Sequence, residues 1–566
     1  MRYSPTKKVN DLINVDDIEP TDEQIEIIDT ARSGVDLVVK AYSGGGKTAT
    51  ARLVANATQA SGHFVVFSRA ARRDAQNKMP AGMKATTGHA LAFHSIVKDS
   101  TGFMQKLEAG TKYKSNQIPP ALIIRHLGLQ NRTKLAATAQ QQAMAISTTI
   151  REFEVSDATT ITPEHVPDQA IPPNLRMGDD RDATDTFIHF VSTRAGQLWQ
   201  DMENEHSGFP IGHDTYLKIL HLRRPYLPGN LWLLDEYQDT TPVMDAIVQQ
   251  QEGQKIYIGD PYQAIFGWRG AIDALSRPLG DGTRKLHLTQ SFRFNHQIAC
   301  IANILLGSLG ETVPLKGLDY NLEQLNFHKH HTVLVRNNVK MLSVIGEYRA
   351  LKQSVSVSGG IPHETITKAT SAYALFCNDL DNIKVSTLRD IGSWQAFKDL
   401  AAQYGDRNPE YTDLVNLVEP YANRLPEIIA YAQRPWEEIK NDPGRITLMT
   451  AHRSKGSEFP YVALRDDLAI SPDVINKLKQ GSSLTIPERE QVHLLYVAIT
   501  RCKRGISLPP KIKQNLVDLS AGNSVSLEGI PGSQTNRLNE QEIRDRTAAF
   551  IAKHGKPKTD EEGTEP

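Results

Sequence analysis

A glycine-rich stretch near the N-terminus constrains the fold of this chain more than any other feature. Residues 36–53 read DLVVKAYSGGGKTATARL: an apolar run suited to a buried strand, three consecutive glycines, and a segment that can open a helix. Backbone N–H groups without intervening side chains can surround a polyphosphate, and the N-terminal end of a helix adds partial positive charge. The stretch therefore predicts a phosphate-binding loop on an α/β scaffold.

Two side chains of this loop have expected roles in that chemistry. Lys47 would reach the β- and γ-phosphates of a nucleotide, and the Thr48 hydroxyl would bind Mg²⁺. Ala41 stands where the usual G-x-x-x-x-G-K-[ST] pattern has its first glycine, so an ordinary glycine-rich loop before a helix is the alternative. The other loop residues predicted to hold the nucleotide are Ser43, Gly44, Gly45, Gly46 and Thr50.

Paired acids follow a second apolar run. Residues 231–239 read LWLLDEYQD, in which Asp235 can hold Mg²⁺ through water and Glu236 can orient and deprotonate an attacking water. A surface acid pair at the end of a strand is the alternative. A further predicted strand, residues 255–260, leads to Gln263, which can sense a γ-phosphate, and the helix start PTDEQIEII carries Gln24, which could read an adenine edge or lie solvated on its helix.

Several residues are candidates for nucleic-acid contact. Arg69, Arg72 and Arg73 follow the predicted strand 63–68 and could neutralise phosphates, although such a cluster is often a solvated helix face. Trp268 and its neighbour Arg269 sit in a turn between two glycines, where they can offer a ring and a guanidinium to a base. Lys and Arg total 64 against 65 Asp and Glu, so any nucleic-acid surface must be a local patch.

Bulk composition places the chain among soluble globular proteins. Its 566 residues predict several domains, at about 150 residues each. Cys300, Cys377 and Cys502 lie far apart and without metal-ligand spacing, which predicts buried apolar thiols in a reducing compartment. No signal-peptide pattern opens the chain and no run of 18 apolar residues occurs, so we expect a soluble cytoplasmic protein with no membrane contact, nucleoid-associated if bacterial or phage.

The order of the motifs carries a family resemblance. From about residue 20 to residue 506 they read TDEQ, AYSGGGKT, FSRAAR, TTGHALAF, LLDEYQDT, IGDPYQAIFGWRGA, LTQSFRF, TAHRSKGSEF and LLYVAITRCKR. This series resembles the superfamily 1A DNA helicases of the UvrD/Rep type. The segment HDTYLK, residues 213–218, makes the chain look most like the helicase core of the eukaryotic F-box DNA helicases, without the F-box.

The resemblance implies an α/β fold with two RecA-like P-loop domains, each a parallel sheet flanked by helices and each carrying a mainly helical insertion. The implied divisions are 1–94 and 214–280 for domain 1A, 95–213 for insertion 1B, 281–339 and 442–510 for domain 2A, 340–441 for a short insertion 2B, and 511–566 for a partly disordered tail with a possible helix from 539 to 553. The implied 2B is shorter than in the bacterial repair helicases.

The resemblance also implies residue roles. Gln24 reads adenine and Phe292 stacks on it, while Glu458 contacts the ribose. With Lys47 and Glu236, the residues implied in catalysis are Gln263, Arg293 and Arg501, the two arginines reaching the γ-phosphate from the second domain. The implied DNA contacts are Phe67, Arg69, His89, Trp268, Thr450 and His452.

Three departures from the family pattern leave the catalytic groups in place. Ser68 and Arg69 replace a more usual Asn-Lys or Thr-Asn after Phe67, Ser457 replaces a leucine, and Cys502 replaces an alanine. The function implied is an ATP- and Mg²⁺-dependent helicase or translocase on single-stranded DNA, moving 3′ to 5′, in repair, recombination or replication. Single-stranded DNA and its junctions with duplex are the implied partners, and proteins could bind through 2B or the tail.

Two alternatives remain at this point. One is a DNA-stimulated ATPase that remodels protein–DNA complexes or serves as the motor subunit of a repair or defence complex. The other is a small-molecule P-loop kinase, which would not need the segments FGWRGA and TAHRSKGSEF.

Overall fold

The chain divides into two units. The computed structural model describes residues 19–113, 118–131, 135–176, 180–267, 270, 275, 280, 282–327, 329–404, 409–434 and 446–520. The first unit comprises Met1–Ala41 and Gly46–Leu288, and the second comprises Tyr42–Gly45 and Thr289–Pro566. Four residues of the glycine-rich loop therefore group with the second unit through their contacts.

A parallel six-stranded sheet forms the centre of the first unit, with the strand order β3-β2-β4-β5-β1-β6. Its strands are β1 (Leu37–Ala41), β2 (Gly62–Val65), β3 (Met83–Thr86), β4 (Leu231–Leu234), β5 (Gln254–Gly259) and β6 (Arg284–Leu288). Leu37 and Val39 pack into one apolar core, whereas Val38 between them packs into another. Because successive strand residues point to opposite faces, both faces of this sheet are buried, as its continuous apolar runs require.

Helices cover this sheet and build an insertion. They are α1 (Asp22–Arg32), α2 (Lys47–Thr58), α3 (Arg69–Gln76), α4 (Gly88–Ala92), α5 (Thr101–Thr111), α6 (Pro120–Leu127), α7 (Ala139–Val155), α8 (Pro173–Arg176), α9 (Arg181–Glu203), α10 (His213–Arg223) and α11 (Pro242–Gln249), with a π-helical turn at Phe93–Val97. Phe153 of α7 and Phe187 of α9 belong to the same apolar core as Val38 and Trp232 of the sheet. The insertion and one face of the sheet therefore share a core.

The second unit has its own parallel sheet, with the order β10-β11-β9-β12-β13. The strands of this unit are β7 (Gln290–Asn295), β8 (Lys316–Leu318), β9 (Thr332–Val335), β10 (Val355–Val357), β11 (Ile446–Thr450), β12 (Phe459–Leu464) and β13 (Cys502–Ser507), where β7 and β8 form a separate parallel pair. The predicted α/β class with parallel sheets flanked by helices is confirmed.

Helices of the second unit surround its sheet and form a second helical region. They are α12 (His296–Ser308), α13 (Asn338–Ala350), α14 (His363–Phe376), α15 (Ser386–Ile391), α16 (Trp394–Tyr404), α17 (Pro409–Tyr421), α18 (Leu425–Ala432), α19 (Ala451–Ser454), α20 (Pro472–Lys479), α21 (Ile486–Ile499) and α22 (Pro510–Ser520). Short 3-10 helices in the two units are Pro163–His165, Asp168–Ala170, Tyr237–Asp239, Pro261–Gln263, Leu380–Asn382, Ala422–Arg424 and Asp466–Leu468.

Two strands lie elsewhere than the sequence predicted. Strand β6 belongs to the first sheet, although the family resemblance places residues from 281 onward in the second domain. Leu286 and Leu288 pack into the core on one face of the first sheet. Strand β10 lies inside the predicted insertion 340–441 but pairs with β11 at the edge of the second sheet. With α13 it completes a strand–helix–strand crossover from β9, so the second helical region begins after it.

Three smaller expectations can be compared with the structure. Cys502 is buried, but Cys300 and Cys377 are exposed, so the prediction of buried thiols is wrong for two of the three cysteines. Ile512 and Leu516 of α22 are buried, so the predicted tail begins as a packed helix, while the helix predicted from 539 to 553 lies outside the described residues. Within the described part of the chain, no helix combines the length and the apolarity needed to cross a bilayer.

Candidate active site

The glycine-rich loop connects the end of β1 to the start of α2. Gly44 and Gly46 have φ of 78° and 74°, in the left-handed region that favours glycine. A Cβ on Gly44 would lie 2.3 Å from Oγ of Ser291 and 2.9 Å from Cβ of Arg293. Both the backbone conformation and the neighbouring side chains therefore require glycine at position 44.

The first unit brings the loop and the acid pair together. Nζ of Lys47 lies 2.8 Å from Oε1 of Glu236, and the Thr48 hydroxyl donates to Oδ2 of Asp235 at 3.4 Å. Hydroxyl and carboxylate oxygens are the donors that Mg²⁺ prefers, and this ion keeps several waters besides one or two protein ligands. Thr48 and Asp235 therefore fit the predicted magnesium site.

The acid pair is half-buried, and the backbone of Glu236 is strained. Glu236 has φ 52° and ψ 41°, a left-handed conformation that costs a non-glycine residue free energy and is frequent at functional sites. Burial and the neighbouring Glu236 raise the pKa of Asp235. Burial alone would lower the pKa of Lys47, but Glu236, Asp235 and Asp260 prevail and raise it. Lys47 is therefore held as a cation.

A hydrogen-bonded chain connects the acid pair to Gln263. Nε2 of Gln238 donates to Oε2 of Glu236 at 2.5 Å, and Oε1 of Gln238 accepts from the backbone N–H of Asp260 at 3.0 Å. Nε2 of Gln263 donates to Oδ2 of Asp260 at 2.7 Å. Sequence reasoning missed Gln238 and Asp260, although both are polar residues within a few positions of the end of an apolar run, in LLDEYQDT and IGDPYQ.

Gln24 is buried in a capping box at the start of α1. Its Oε1 accepts from the backbone N–H of Thr21, and its Nε2 donates to Oγ1 of Thr50, both at 3.0 Å. Thr50 in turn donates to the carbonyl oxygen of Gly46 at 3.1 Å. Gln24 is therefore linked to the glycine-rich loop, and it could read adenine only by exchanging these partners, so that role remains a prediction.

In the second unit, two predicted arginines converge on Ser43. Nη1 of Arg293 and Nη2 of Arg501 each donate to Oγ of Ser43 at 2.9 Å. Arg501 is 1% exposed and also donates to the carbonyl oxygen of Val497 at 3.0 Å, which fixes its guanidinium. The hydroxyl of Tyr496, which sequence reasoning missed, accepts from the backbone N–H of Ser43 at 3.2 Å.

Two further residues predicted to contact the nucleoside, Phe292 and Glu458, lie in the second unit. Glu458 accepts from Nε of Arg293 at 3.0 Å and from Nζ of Lys503 at 2.5 Å. Burial would raise the pKa of Glu458, but the hydrogen bonds from Lys503 and Arg293 lower it. Phe292 is exposed, and its backbone N–H donates to the carbonyl oxygen of Gly44 at 2.9 Å. The ribose contact of Glu458 and the stacking of Phe292 stay predictions.

Three of the predicted DNA contacts lie in the first unit. Phe67 is exposed and stacks on Phe266, with ring centroids 5.8 Å apart and planes at 8°. Arg69 is exposed at the start of α3. His89 is half-exposed, and its Nε2 lies 2.9 Å from Oδ1 of Asp214. These side chains are accessible to a ligand.

The other predicted DNA contacts are less exposed, or lie outside the described residues. Thr450 is buried, and its hydroxyl caps α19 by accepting from the backbone N–H of Arg453 at 3.3 Å. His452, two residues further along the chain, is half-buried. Trp268 and Arg269 lie outside the described residues.

Parallel sheets with a glycine-rich loop whose lysine pairs with a strand-end acid define the P-loop class of nucleotide-binding proteins. A family model described as the UvrD-like helicase C-terminal domain matches residues 185–508, more than half of the chain. The chain belongs to the UvrD-like helicase family, which confirms the resemblance to UvrD/Rep-type helicases and implies two RecA-like domains.

Individual relatives agree with this assignment. F-box DNA helicase protein 1 of Schizosaccharomyces pombe is 27% identical over 527 residues, which cover 86% of this chain and 57% of that protein. F-box DNA helicase 1 of Gallus gallus is 25% identical over 530 residues, covering 89% and 50%. DNA helicase II of Salmonella typhimurium is 33% identical over 119 residues, covering 19% and 16%. The chain spans about half the length of the two F-box relatives.

Proposed function

We propose that this protein is an ATP-driven motor that moves along single-stranded DNA and unwinds duplex ahead of it. The observation that carries the proposal is the ion pair of 2.8 Å between Lys47 of the loop and Glu236 after β4. It joins a phosphate-binding cation to a carboxylate that can act as a general base. Membership of the UvrD-like helicase family supports DNA as the substrate.

The residues around the glycine-rich loop have different roles in ATP hydrolysis. Lys47 binds the β- and γ-phosphates, the loop backbone from Ser43 to Gly46 surrounds them, and Glu236 orients and deprotonates the attacking water. Thr48 and Asp235 would hold Mg²⁺, which supplies charge neutralisation for the phosphates when bound. The hydrogen bond from Gln238 holds the carboxylate of Glu236 in one orientation.

Charge that develops on the γ-phosphate needs donors besides Lys47. Arg293 and Arg501 serve this role in the proposal, supported by their shared contact with Ser43 of the loop. Gln263 senses the γ-phosphate through its link to Asp260. Around the nucleoside, Gln24 and Phe292 contact adenine and Glu458 the ribose, as the family resemblance implies.

DNA contacts are proposed from accessible rings and basic groups. Phe67 offers a ring to a base, and Arg69 and His89 lie in the same unit. The family resemblance supports further DNA contacts by Trp268, Thr450 and His452. It also supports movement from 3′ to 5′, binding at junctions of single and double strands, and a role in repair, recombination or replication. Protein partners through 2B or the tail and a cytoplasmic or nucleoid location are proposed on the same ground.

The test measures ATP hydrolysis with and without single-stranded DNA, and unwinding of duplexes with a 3′ or a 5′ single-stranded tail. We expect DNA to stimulate hydrolysis and only the 3′-tailed substrate to be unwound, with Glu236→Gln inactive in both assays. Stimulated hydrolysis without unwinding would favour the motor subunit that remodels protein–DNA complexes. ATP hydrolysis that is not stimulated by single-stranded DNA would contradict the proposal and favour the alternative of a small-molecule P-loop kinase.

A further inference from the structure

The segment HDTYLK begins helix α10, and its polar side chains have separate partners. Asp214 contacts His89, and Nδ1 of His213 lies 2.8 Å from the hydroxyl of Tyr216. Thr215 donates to Oε1 of Glu154 in α7 at 2.6 Å. The start of α10 therefore stands between a predicted DNA contact and the helical insertion.

Buried polar contacts hold the start of α10 in place. Lys218 is 0% exposed and donates to the carbonyl oxygens of Ser156 at 2.8 Å and Ala158 at 2.5 Å. Its ammonium also lies 4.2 Å from the centre of the Phe153 ring. Burial lowers the pKa of Lys218 to about 8. Because a buried donor without partners is costly, these contacts restrict the position of α10.

On the other side of α10, Asp214 fixes the His89 ring. Oδ1 of Asp214 lies 2.9 Å from Nε2 of His89, and the hydrogen bond from His89 lowers the pKa of Asp214. A neutral His89 ring therefore carries its proton on Nε2 and presents Nδ1 as an acceptor. The edge-on rings of His213 and Tyr216 lie 6.4 and 6.2 Å from the His89 ring, centre to centre, and limit its rotation.

The same region includes the predicted basic contact Arg69. Burial, His89 and Arg69 together lower the pKa of His213, so these three groups are within electrostatic reach of one another. Two of the predicted DNA contacts, Arg69 and His89, are therefore neighbours of the HDTYLK segment.

We propose that Asp214 is a positioning residue for nucleic-acid binding: from the anchored start of α10 it orients the His89 ring toward single-stranded DNA, without touching the ATP site. This inference rests on the proposed function. An acid at a helix start could instead stabilise α10 through the helix dipole alone, a role that depends on charge and not on His89.

The experiment measures the single-stranded oligonucleotide concentration that gives half-maximal ATPase stimulation, and the dissociation constant of the same oligonucleotide by fluorescence anisotropy. Asp214→Ala should raise both about three- to ten-fold, as expected for the loss of a half-exposed charged hydrogen bond, with an unchanged KM for ATP. Asp214→Asn keeps an acceptor oxygen and removes the charge, so it should restore most of the affinity.

The decisive comparison uses His89→Ala. In that background, Asp214→Ala should have no further effect on DNA affinity, because its partner is already gone. Asp201→Ala is the matched control, since Asp201 pairs with His126 at 2.8 Å within the insertion, and it should leave DNA affinity unchanged. Equal effects of Asp214→Ala with and without His89, or no effect at all, would overturn the inference while leaving the motor function intact. A wild-type protein that neither binds the oligonucleotide nor is stimulated by it would overturn both.

Discussion

Lys47 and Glu236 form an ion pair in which Nζ and Oε1 are 2.8 Å apart. A phosphate that enters the glycine-rich loop competes with Glu236 for the lysine, and the carboxylate that it displaces is the proposed base. In the proposed function, the two residues therefore act on the same phosphate at different stages, binding and chemistry.

Lys47→Ala and Glu236→Gln should both abolish turnover, by different routes. Loss of the lysine removes a phosphate partner and should weaken ATP binding, whereas Glu236→Gln leaves the loop intact and should retain binding while hydrolysis falls by about 10²-fold or more. Binding of a fluorescent ATP analogue and steady-state turnover would be measured on both variants. Equal loss of nucleotide affinity would show that the roles are assigned wrongly.

Arg501→Ala should remove hydrolysis and unwinding together while single-stranded DNA binding survives. An arginine delivered to developing phosphoryl charge is worth roughly 10³–10⁵ in rate. Arg501→Lys should rescue poorly, because an ammonium cannot reproduce the several bonds of the planar guanidinium to Ser43, Val497 and Ser457.

Melting temperature must be recorded for both Arg501 variants, since the side chain is buried. Near-normal ATPase in a folded Arg501→Ala protein would mean that the arginine is structural and the catalytic assignment is wrong.

Gly44→Ala should damage the loop more than a matched glycine substitution elsewhere. Gly44 and Gly34 have similar φ, 78° and 80°, but a Cβ on Gly34 would meet nothing within 4 Å. Gly34→Ala should therefore reduce the free energy of unfolding only by the left-handed backbone strain, about 1–2 kcal/mol. In Gly44→Ala the added Cβ also clashes with Arg293 and Ser291. We expect ATP affinity to fall at least about ten-fold in Gly44→Ala and to stay unchanged in Gly34→Ala. Equal melting temperatures and affinities for the two variants would contradict this account.

Phe67→Ala should weaken single-stranded DNA binding by about 1–3 kcal/mol, the value of one stacked base. The exposed ring already stacks on Phe266, so it is held in place for a second stacking partner. Titrations at several salt concentrations would separate this loss from phosphate contacts, because removing a ring leaves the salt dependence unchanged. An unchanged DNA affinity in Phe67→Ala would mean that the rings of Phe67 and Phe266 only pack against each other. Trp268→Ala would provide the parallel test for the residue proposed on family resemblance.

Glu154→Gln should make stability less dependent on pH. Burial, then Asp214, raises the pKa of Glu154 to about 8 against some restraint from Thr215, Arg151 and Lys218. The folded protein therefore holds a proton that the unfolded chain loses above the ordinary glutamate pKa, so the wild type loses stability as pH rises from about 5 to 7.5. Glutamine stays neutral and can still accept from Thr215.

The free energy of unfolding of Glu154→Gln relative to the wild type should rise on the order of 2–3 kcal/mol over that interval. Thermal melts at several pH values would show it. Parallel pH profiles for the two proteins would mean that Glu154 is ionised when buried.

Much of the candidate site could be predicted from the sequence because its residues lie in local patterns. An apolar run followed by glycines and Lys47, or by Asp235 and Glu236, predicts a strand that ends in a polar turn, independently of the rest of the chain. The order of the nine sequence motifs also predicts the family that the match over residues 185–508 shows. Local composition is enough for these conclusions, because strand ends and glycine turns are set by neighbouring residues.

Only the tertiary structure decided which distant groups meet. The contact of Arg501 with Ser43 joins residues 458 positions apart, and that of Thr48 with Asp235 spans 187. Gln238 and Asp260 become partners because β4 and β5 are neighbours in the first sheet, and Asp214 reaches His89 because α10 packs beside α4. Strand order and helix packing follow from the burial of whole faces, and periodicity within one segment carries no information about which other segment covers it.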